Sequence, residues 1–386
     1  MAPEPIFEPR GTPFSVVGRL KALSDMGVQV DLVTYGIGED VKMPGLRILR
    51  IPAVPCIRKI KIGPSVQKVP LDFLLMIYTL RQLLSGSYDL IHTHEEAGFW
   101  GTLFSRIFNT PHIYDMHSSL PQQLRNFEFS SSGTVKALFD SLENWILKYA
   151  SAVITICPDL RDHVASLFPE RGSVLIENVV DYGSVFGEQD RSEEIIQSLE
   201  LKGKQVVLYT GTLEPYQGLD LLIQSARHVL QKQSNVMFLV VGGHPDQVEK
   251  YRWTAKTAGL SSQFIFTGQV KPEEVGSYIR CADVLATPRI SGTNTPLKIY
   301  AYLRSGVPIV ATRILTHTQV LDDHTARLTS ADPEGFAGGI LKVLTETGYR
   351  QSLVQQAQEL ARTKYSYSVY QEKLQSVMHL ALERGV

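Results

Sequence analysis

In the stretch SGTNTPLKIYAYLRSGVPIVAT, residues 291–312, a lysine follows a Thr-Pro pair by two residues. Thr295 is expected as a helix N-cap with Pro296 at the first helical position, while Gly306 closes the helix and Pro308 blocks its continuation. A helix start leaves amides free and carries roughly half a positive charge, which makes it an anion site. A cation in that first turn is disfavoured unless an anion sits opposite, so Lys298 and the nearby Arg289 point to an anionic ligand. The amides of Asn294, Thr295, Pro296 and Leu297 frame the same place, proline offering only its carbonyl. A second start of the same grammar, Gly11-Thr12-Pro13 with Gly27 past the helix end, lies near the N-terminus. Two such tips facing one cleft would suit a diphosphate.

His117 ends the strand-like run PHIYDMH, at the edge where open α/β sheets bind ligands, and is the leading catalytic candidate. His92 and His94 alternate in LIHTHEE and so share a strand face, with Glu95 and Glu96 following. Glu95 and His94 are assigned to an acceptor side, at least one of the two glutamates being expected in a solvated loop. No carboxylate or cysteine stands at ligand spacing from the histidine pair, so no metal is expected. Glu214, in TLEPYQG, is a further group able to reach a ligand.

These residues need a scaffold. The 386 residues suffice for two domains with sizeable cores. Hydrophobic residues make up 44% and charged residues 20%, as in an ordinary soluble protein. A net charge of −1 removes any global pull toward nucleic acid. Cys56, Cys157 and Cys281 form no CxxC pair, which argues for a reducing compartment without a disulfide framework. The first residues carry no secretory apolar region, and the run VPLDFLLMIYTL is interrupted by Asp72 and short of the ~20 residues a spanning helix needs. A cytoplasmic location follows, with peripheral contact at the inner face of the membrane at most.

Apolar β-branched runs alternate with helical patterns nearly throughout, which predicts buried parallel sheets of doubly wound α/β type. The strand runs are VQVDLVTYG, LRILRIP, YDLIHTH, PHIYDMHSS, SAVITIC and SVLIENV, then QVVLYTG, MFLVVGG, FIFTGQV, DVLATP and PIVAT. They are too many for one sheet, and the polar segment around Ser184 divides them. We expect an acceptor-side Rossmann-like domain over residues 1–183 with a crossing helix at 366–386, and a donor-binding Rossmann-like domain over 184–365. The opening MAPEPIFEPRG is too proline-rich for a central strand, so the first strand of the first domain is expected to be missing.

In this order, VLIENVVD, YTGTLEPYQGLDLLIQSA, FLVVGG, FIFTGQVKPEEVGSYIRCADVLATPR and TPLKIYAYLRSGVPIVAT resemble the retaining family 4 glycosyltransferases of the GT-B fold. DLIHTHEEAGFWG and PHIYDMHSSLPQQL resemble that family's acceptor-domain strands, and YSYSVYQEKLQSVMHLAL its last helix. The resemblance implies transfer of a sugar, with retention and without a metal or other cofactor, from a nucleotide-diphosphate sugar to a glycan or lipid-linked acceptor. It implies that His117 contacts the transferred sugar or orients the acceptor. It also marks departures. Thr293 and Ala301 stand where the family has its two glutamates, and Thr212 and Gln217 where it grips the diphosphate with Arg and Lys. Each charge-assisted bond so lost is worth ~1.5–3 kcal/mol, leaving Arg289 and Lys298 to compensate, with Gly11, Gly211 and Thr212 allowing close backbone approach. A degenerate binding or scaffold protein and a nucleotide-sugar epimerase are the competing expectations. Arg58, Lys59, Lys61 and Lys68, interleaved with Ile57, Ile60, Ile62 and Val66, suggest a membrane-surface patch over residues 57–68.

Overall fold

The computed structural model describes residues 1–7, 11–54, 57, 60, 65, 67–121, 133–170, 173–179 and 190–386. The chain forms two compact units, one of Met1–Asn178 with Tyr367–Val386 and one of Val179–Ser366. The sequence boundary near Ser184 lies outside the described residues. Both units are α/β with parallel strands, as the continuous apolar runs require.

In the first unit, β1 (Val30–Thr34) pairs parallel with β2 (Leu46–Arg50), Leu32 opposite Ile48. A second sheet runs in the order β3 (Ile91–His94), β4 (His112–Met116), β5 (Ala152–Thr155) and β6 (Val174–Leu175). Every residue of β4 and β5 is buried. No strand forms among the described residues ahead of the helix Gly11–Asp25, which leaves a gap between the edges of β1 and β3. Met1 and Ala2 stitch the gap instead: the Met1 amino group donates to His92 O at 2.7 Å, and Ala2 N donates to Val33 O at 3.0 Å. The helix Tyr367–Arg384 returns to pack on β4, β5 and β6, burying Tyr370, Leu374, Val377 and Ala381.

The second unit holds one six-stranded parallel sheet, ordered β12-β11-β10-β7-β8-β9. These are β7 (Gln205–Thr210), β8 (Val236–Val241), β9 (Phe264–Gly268), β10 (Val284–Thr287), β11 (Ile309–Thr312) and β12 (Arg327–Thr329). The helix Leu219–Lys232 places Leu222, Ile223, Ala226 and Val229 against this core, beside Phe336, Ile340 and Val343 of the helix Pro333–Thr345. Chain order reverses at β7, whose neighbours are β8 on one side and β10 on the other. The carboxyl ends of β7 and β10 therefore frame the crevice where such sheets bind ligands. Sequence reading found eleven of these twelve strands; β12 is three residues long and starts on an arginine, too short for a pattern.

Candidate active site

The loops leaving β7 and β10 bring most of the predicted donor residues of the second unit together. Gly211 takes φ +134°, a backbone conformation that favours glycine, and a Cβ there would crowd Lys298 Nζ at 3.2 Å. Gly218, at φ +76°, lies so close to the Pro288 carbonyl that a Cβ would come within 2.0 Å of it. The two loops are thus in direct contact. Gln217 Nε2 donates to Thr212 Oγ1 at 3.4 Å, and Glu214 is engaged by Gln247 Nε2 at 2.9 Å.

Lys298 opens the helix Lys298–Arg304, and its Nζ sits 3.7 Å from the centroid of Tyr209. Tyr209 in turn donates its hydroxyl to Thr212 O at 2.6 Å. Nζ is buried and has no hydrogen-bond partner among the described residues. Burial, with the Arg289 charge second, pushes the Lys298 pKa well below that of a free lysine. Arg289 lies over the Tyr216 ring at 5.0 Å and folds back on its own loop, donating from Nε to Ser291 O at 2.7 Å and from Nη1 to Asn294 O at 3.2 Å. Thr295 Oγ1 is likewise buried without a hydrogen-bond partner among the described residues. Two basic side chains and a buried hydroxyl at a strand switch point make a place suited to an anion.

In the first unit, β3 and β4 present a buried histidine cluster. His94 Nδ1 and His117 Nε2 are 3.0 Å apart, and the His92 and His94 rings stack at 4.9 Å. Asp115 faces all three, its Oδ1 3.4 Å from His117 Nε2 and its Oδ2 3.4 Å from His92 Nε2. Oδ2 also accepts from Arg19 Nε at 2.7 Å, an ion pair buried on both sides. Arg19 extends the link to Ile176 O at 3.1 Å and stacks on Tyr370 at 5.0 Å. Burial, opposed by Asp115, lowers the His117 pKa to about 4, so the ring is neutral at physiological pH. Asp115 stays far below the usual carboxylate range although burial opposes it, because Arg19 and then His117 stabilise the anion. Ligand atoms of His92, His94 and Asp115 lie within 4.8 Å of one another. A carboxylate thus does reach the histidine pair, across the strands rather than along the sequence. Asp115 Oδ2 also holds the buried Arg19 guanidinium, which supplies a positive charge at this cluster.

A family model described as Glycosyl transferase 4-like domain matches residues 15–178, and one described as Glycosyl transferases group 1 matches residues 204–346. The chain belongs to the group 1, 4-like glycosyltransferases. This transferase is 23% identical over 384 residues to a phosphatidyl-myo-inositol mannosyltransferase of Mycobacterium leprae, covering 98% of this chain and 95% of that one. Its fold is similar to that of sucrose-phosphate synthase from Thermosynechococcus elongatus, with TM-score 0.77 at 20% identity over 96% of this chain and 93% of that chain. It is also similar to the Anabaena HepE protein in complex with UDP, with TM-score 0.74 at 17% identity over 96% and 97%. The fold is therefore GT-B.

Several expected placements need correction in this glycosyltransferase. Thr295 and Pro296 do not open the helix: Ile299 N bonds Pro296 O at 3.0 Å in a turn, and the helix begins at Lys298. Seven residues make too short a helix for its dipole to carry the anion argument, which passes to the Lys298 ammonium. Thr12 is not a cap either; the helix Gly11–Asp25 begins before it, and its hydroxyl donates to Glu95 Oε1 at 3.3 Å. Glu95 is buried rather than solvated, at φ +50°, and also accepts from Ser118 Oγ at 3.2 Å. Glu96 pairs with Lys68 at 2.8 Å. Lys68 is itself buried, and Ile60 joins the core, so neither belongs to a surface patch. Arg58, Lys59, Lys61, Ile62 and Val66 lie outside the described residues. Thr293 keeps its carbonyl on Gln319, and Ala301, half-buried on the helix, offers nothing polar. Tyr209, Asp115 and Arg19 were not anticipated. Asp115 had a readable signal, since it stands two residues before His117 and so shares its strand face.

Proposed function

We propose that this glycosyltransferase moves a hexose from a nucleotide-diphosphate sugar to a glycan or lipid-linked acceptor, with retention and without a resident metal. The donor belongs to the Val179–Ser366 unit and the acceptor to the unit carrying His117. One observation carries the donor reading: a buried lysine ammonium with no hydrogen-bond partner among the described residues, beside Arg289 at the β7–β10 switch point. A diphosphate satisfies it, and the similar Anabaena protein holds UDP. Lys298 and Arg289 neutralise the leaving diphosphate as its charge develops, in place of the family's Arg and Lys that Thr212 and Gln217 replace. Gly211, Thr212 and the backbone of 293–297 frame the phosphates by close approach. Neutral His117, tied to His94 and Asp115, serves the acceptor as a hydrogen-bonding group rather than as a cation. A calorimetric titration with UDP, GDP and ADP, followed by assay of nucleoside diphosphate release from the matching sugar, tests the reading. Release abolished in His117→Ala and Lys298→Ala supports it. Interconversion of the sugar without release points to an epimerase, and no nucleotide binding to a scaffold.

Contact with a lipid surface belongs to the same reading, and the helix that follows residues 57–67 adds an apolar face to it. On Lys68–Ser85, Val69, Phe73, Ile77 and Leu84 share one face and are exposed by 64%, 55%, 41% and 71%. The basic residues Arg58, Lys59 and Lys61 precede it in sequence. No helix among the described residues is long and apolar enough to cross a membrane.

A further inference from the structure

The loop that carries Arg289, Thr293 and Thr295 has no regular secondary structure, yet its polar groups have to be held for an anion. We propose that His317 and Gln319 are positioning residues that brace this donor loop from beneath, an assignment that rests on the donor reading above. His317 lies on the short helix Leu315–Thr318 that follows β11, and is fully buried. Its Nδ1 is 2.8 Å from Thr312 O, which can only accept, so Nδ1 carries the proton. Nε2 is then the acceptor for Thr287 Oγ1 at 2.9 Å. One ring therefore ties the carboxyl end of β10 to that of β11. Thr312 passes the tie onward, its hydroxyl donating to Arg289 O at the entry of the loop. Two residues beyond His317, Gln319 Nε2 donates to Thr293 O at 2.6 Å, in the middle of the loop. Arg289 closes the loop internally through Ser291 O and Asn294 O. The loop is thus pinned at its entry, within itself and at its centre.

His317 is not placed to touch a ligand. Both His317 nitrogens are spent on the protein, and burial lowers its pKa to about 4, so it stays neutral and keeps this tautomer across the physiological range. Its effect on the donor passes through Arg289 and the register of the two strand ends, by preorganisation rather than contact.

The test measures nucleoside diphosphate affinity by calorimetry on the whole chain, for the parent and for Gln319→Ala, His317→Ala, His317→Asn and Lys298→Ala, and for Gln319→Ala combined with Lys298→Ala. Gln319→Ala is expected to weaken binding about three- to tenfold, the worth of one neutral hydrogen bond, and His317→Ala at least as much. His317→Asn, which keeps an amide donor near the Nδ1 position, is expected to recover part of the loss. In the Lys298→Ala background Gln319→Ala should cost less than in the parent, because its effect runs through the geometry of the same site. If His317→Ala fails to fold, Gln319→Ala decides. Affinity within twofold of the parent in Gln319→Ala, and in His317→Ala where it folds, with only the melting temperature lowered, overturns the assignment while leaving the donor reading intact. A parent chain that binds no nucleoside diphosphate overturns both.

Discussion

Lys298 is a liability to the empty protein and an asset to the liganded one, and a single substitution separates the two effects. Its ammonium is desolvated, rests on the Tyr209 ring without a hydrogen-bond partner among the described residues, and is repelled by Arg289. Replacing it with methionine keeps the apolar stem and removes the charge. We predict that Lys298→Met raises the melting temperature of the ligand-free protein by a few degrees, since an unsatisfied buried group costs ~1–3 kcal/mol. The same change should weaken nucleoside diphosphate binding about 10- to 150-fold, the worth of a charge-assisted bond. Differential scanning calorimetry with and without nucleotide reads both. A lower apo melting temperature with unchanged affinity would make Lys298 a packing residue. At this scale the sequence showed Lys298 and His117, because their residue types at strand and loop ends carry meaning alone. It hid Tyr209 and Arg19, because an aromatic in β7 or an arginine in a helix acquires a role only from what lies across the fold.

At the scale of the element, strands were legible and helix starts were not. Runs such as QVVLYT and VMFLVV are apolar on both faces and can only be buried strands. Thr-Pro signals gave the right neighbourhood and the wrong residue, because capping grammar cannot tell a cap from a turn that precedes the helix. The Lys68–Ser85 helix shows what periodicity does settle. Leu71 and Leu75 face the core while Val69, Phe73, Ile77 and Leu84 face outward. We predict that Phe73→Ser with Ile77→Ser abolishes co-flotation with anionic vesicles and leaves the melting temperature within about a degree. Each side chain contributes ~1.5–3 kcal/mol if it inserts into lipid and almost nothing to a fold that already exposes it. Parent protein that stays at the bottom of the gradient with vesicles of every charge would sink the membrane reading.

For the molecule as a whole, buried titratable groups set opposing limits on stability. His112, His117 and His317 are buried and neutral, with pKa values lowered by burial to about 3, about 4 and about 4. The unfolded chain therefore binds more protons than the folded one below pH ~6.5, and stability is lost as pH falls from there toward 4. Glu95 and Asp72 act in the opposite sense. Burial, and then the Glu96 charge, raises them to about 8 and about 7, so the folded chain holds protons that the unfolded chain has released above pH ~4.5. Their contribution is lost as pH rises toward 8. Between 4.5 and 6.5 the histidines, joined by His92 and His94 with pKa values also lowered by burial, outnumber the two carboxyls. Above 6.5 the two carboxyls still titrate, opposed by the Met1 amino group, which burial lowers to about 5. We therefore predict a maximum in melting temperature near pH 6.5, with an alkaline limb that flattens in Glu95→Gln and an acid limb that does not. Calorimetric scans from pH 4 to 9 decide it. A melting temperature that climbs from pH 6.5 to 8 by the same amount in the parent and in Glu95→Gln would mean that Glu95 is ionised in the folded protein, and its place beside Thr12 and Ser118 would then be that of a charged acceptor-side group.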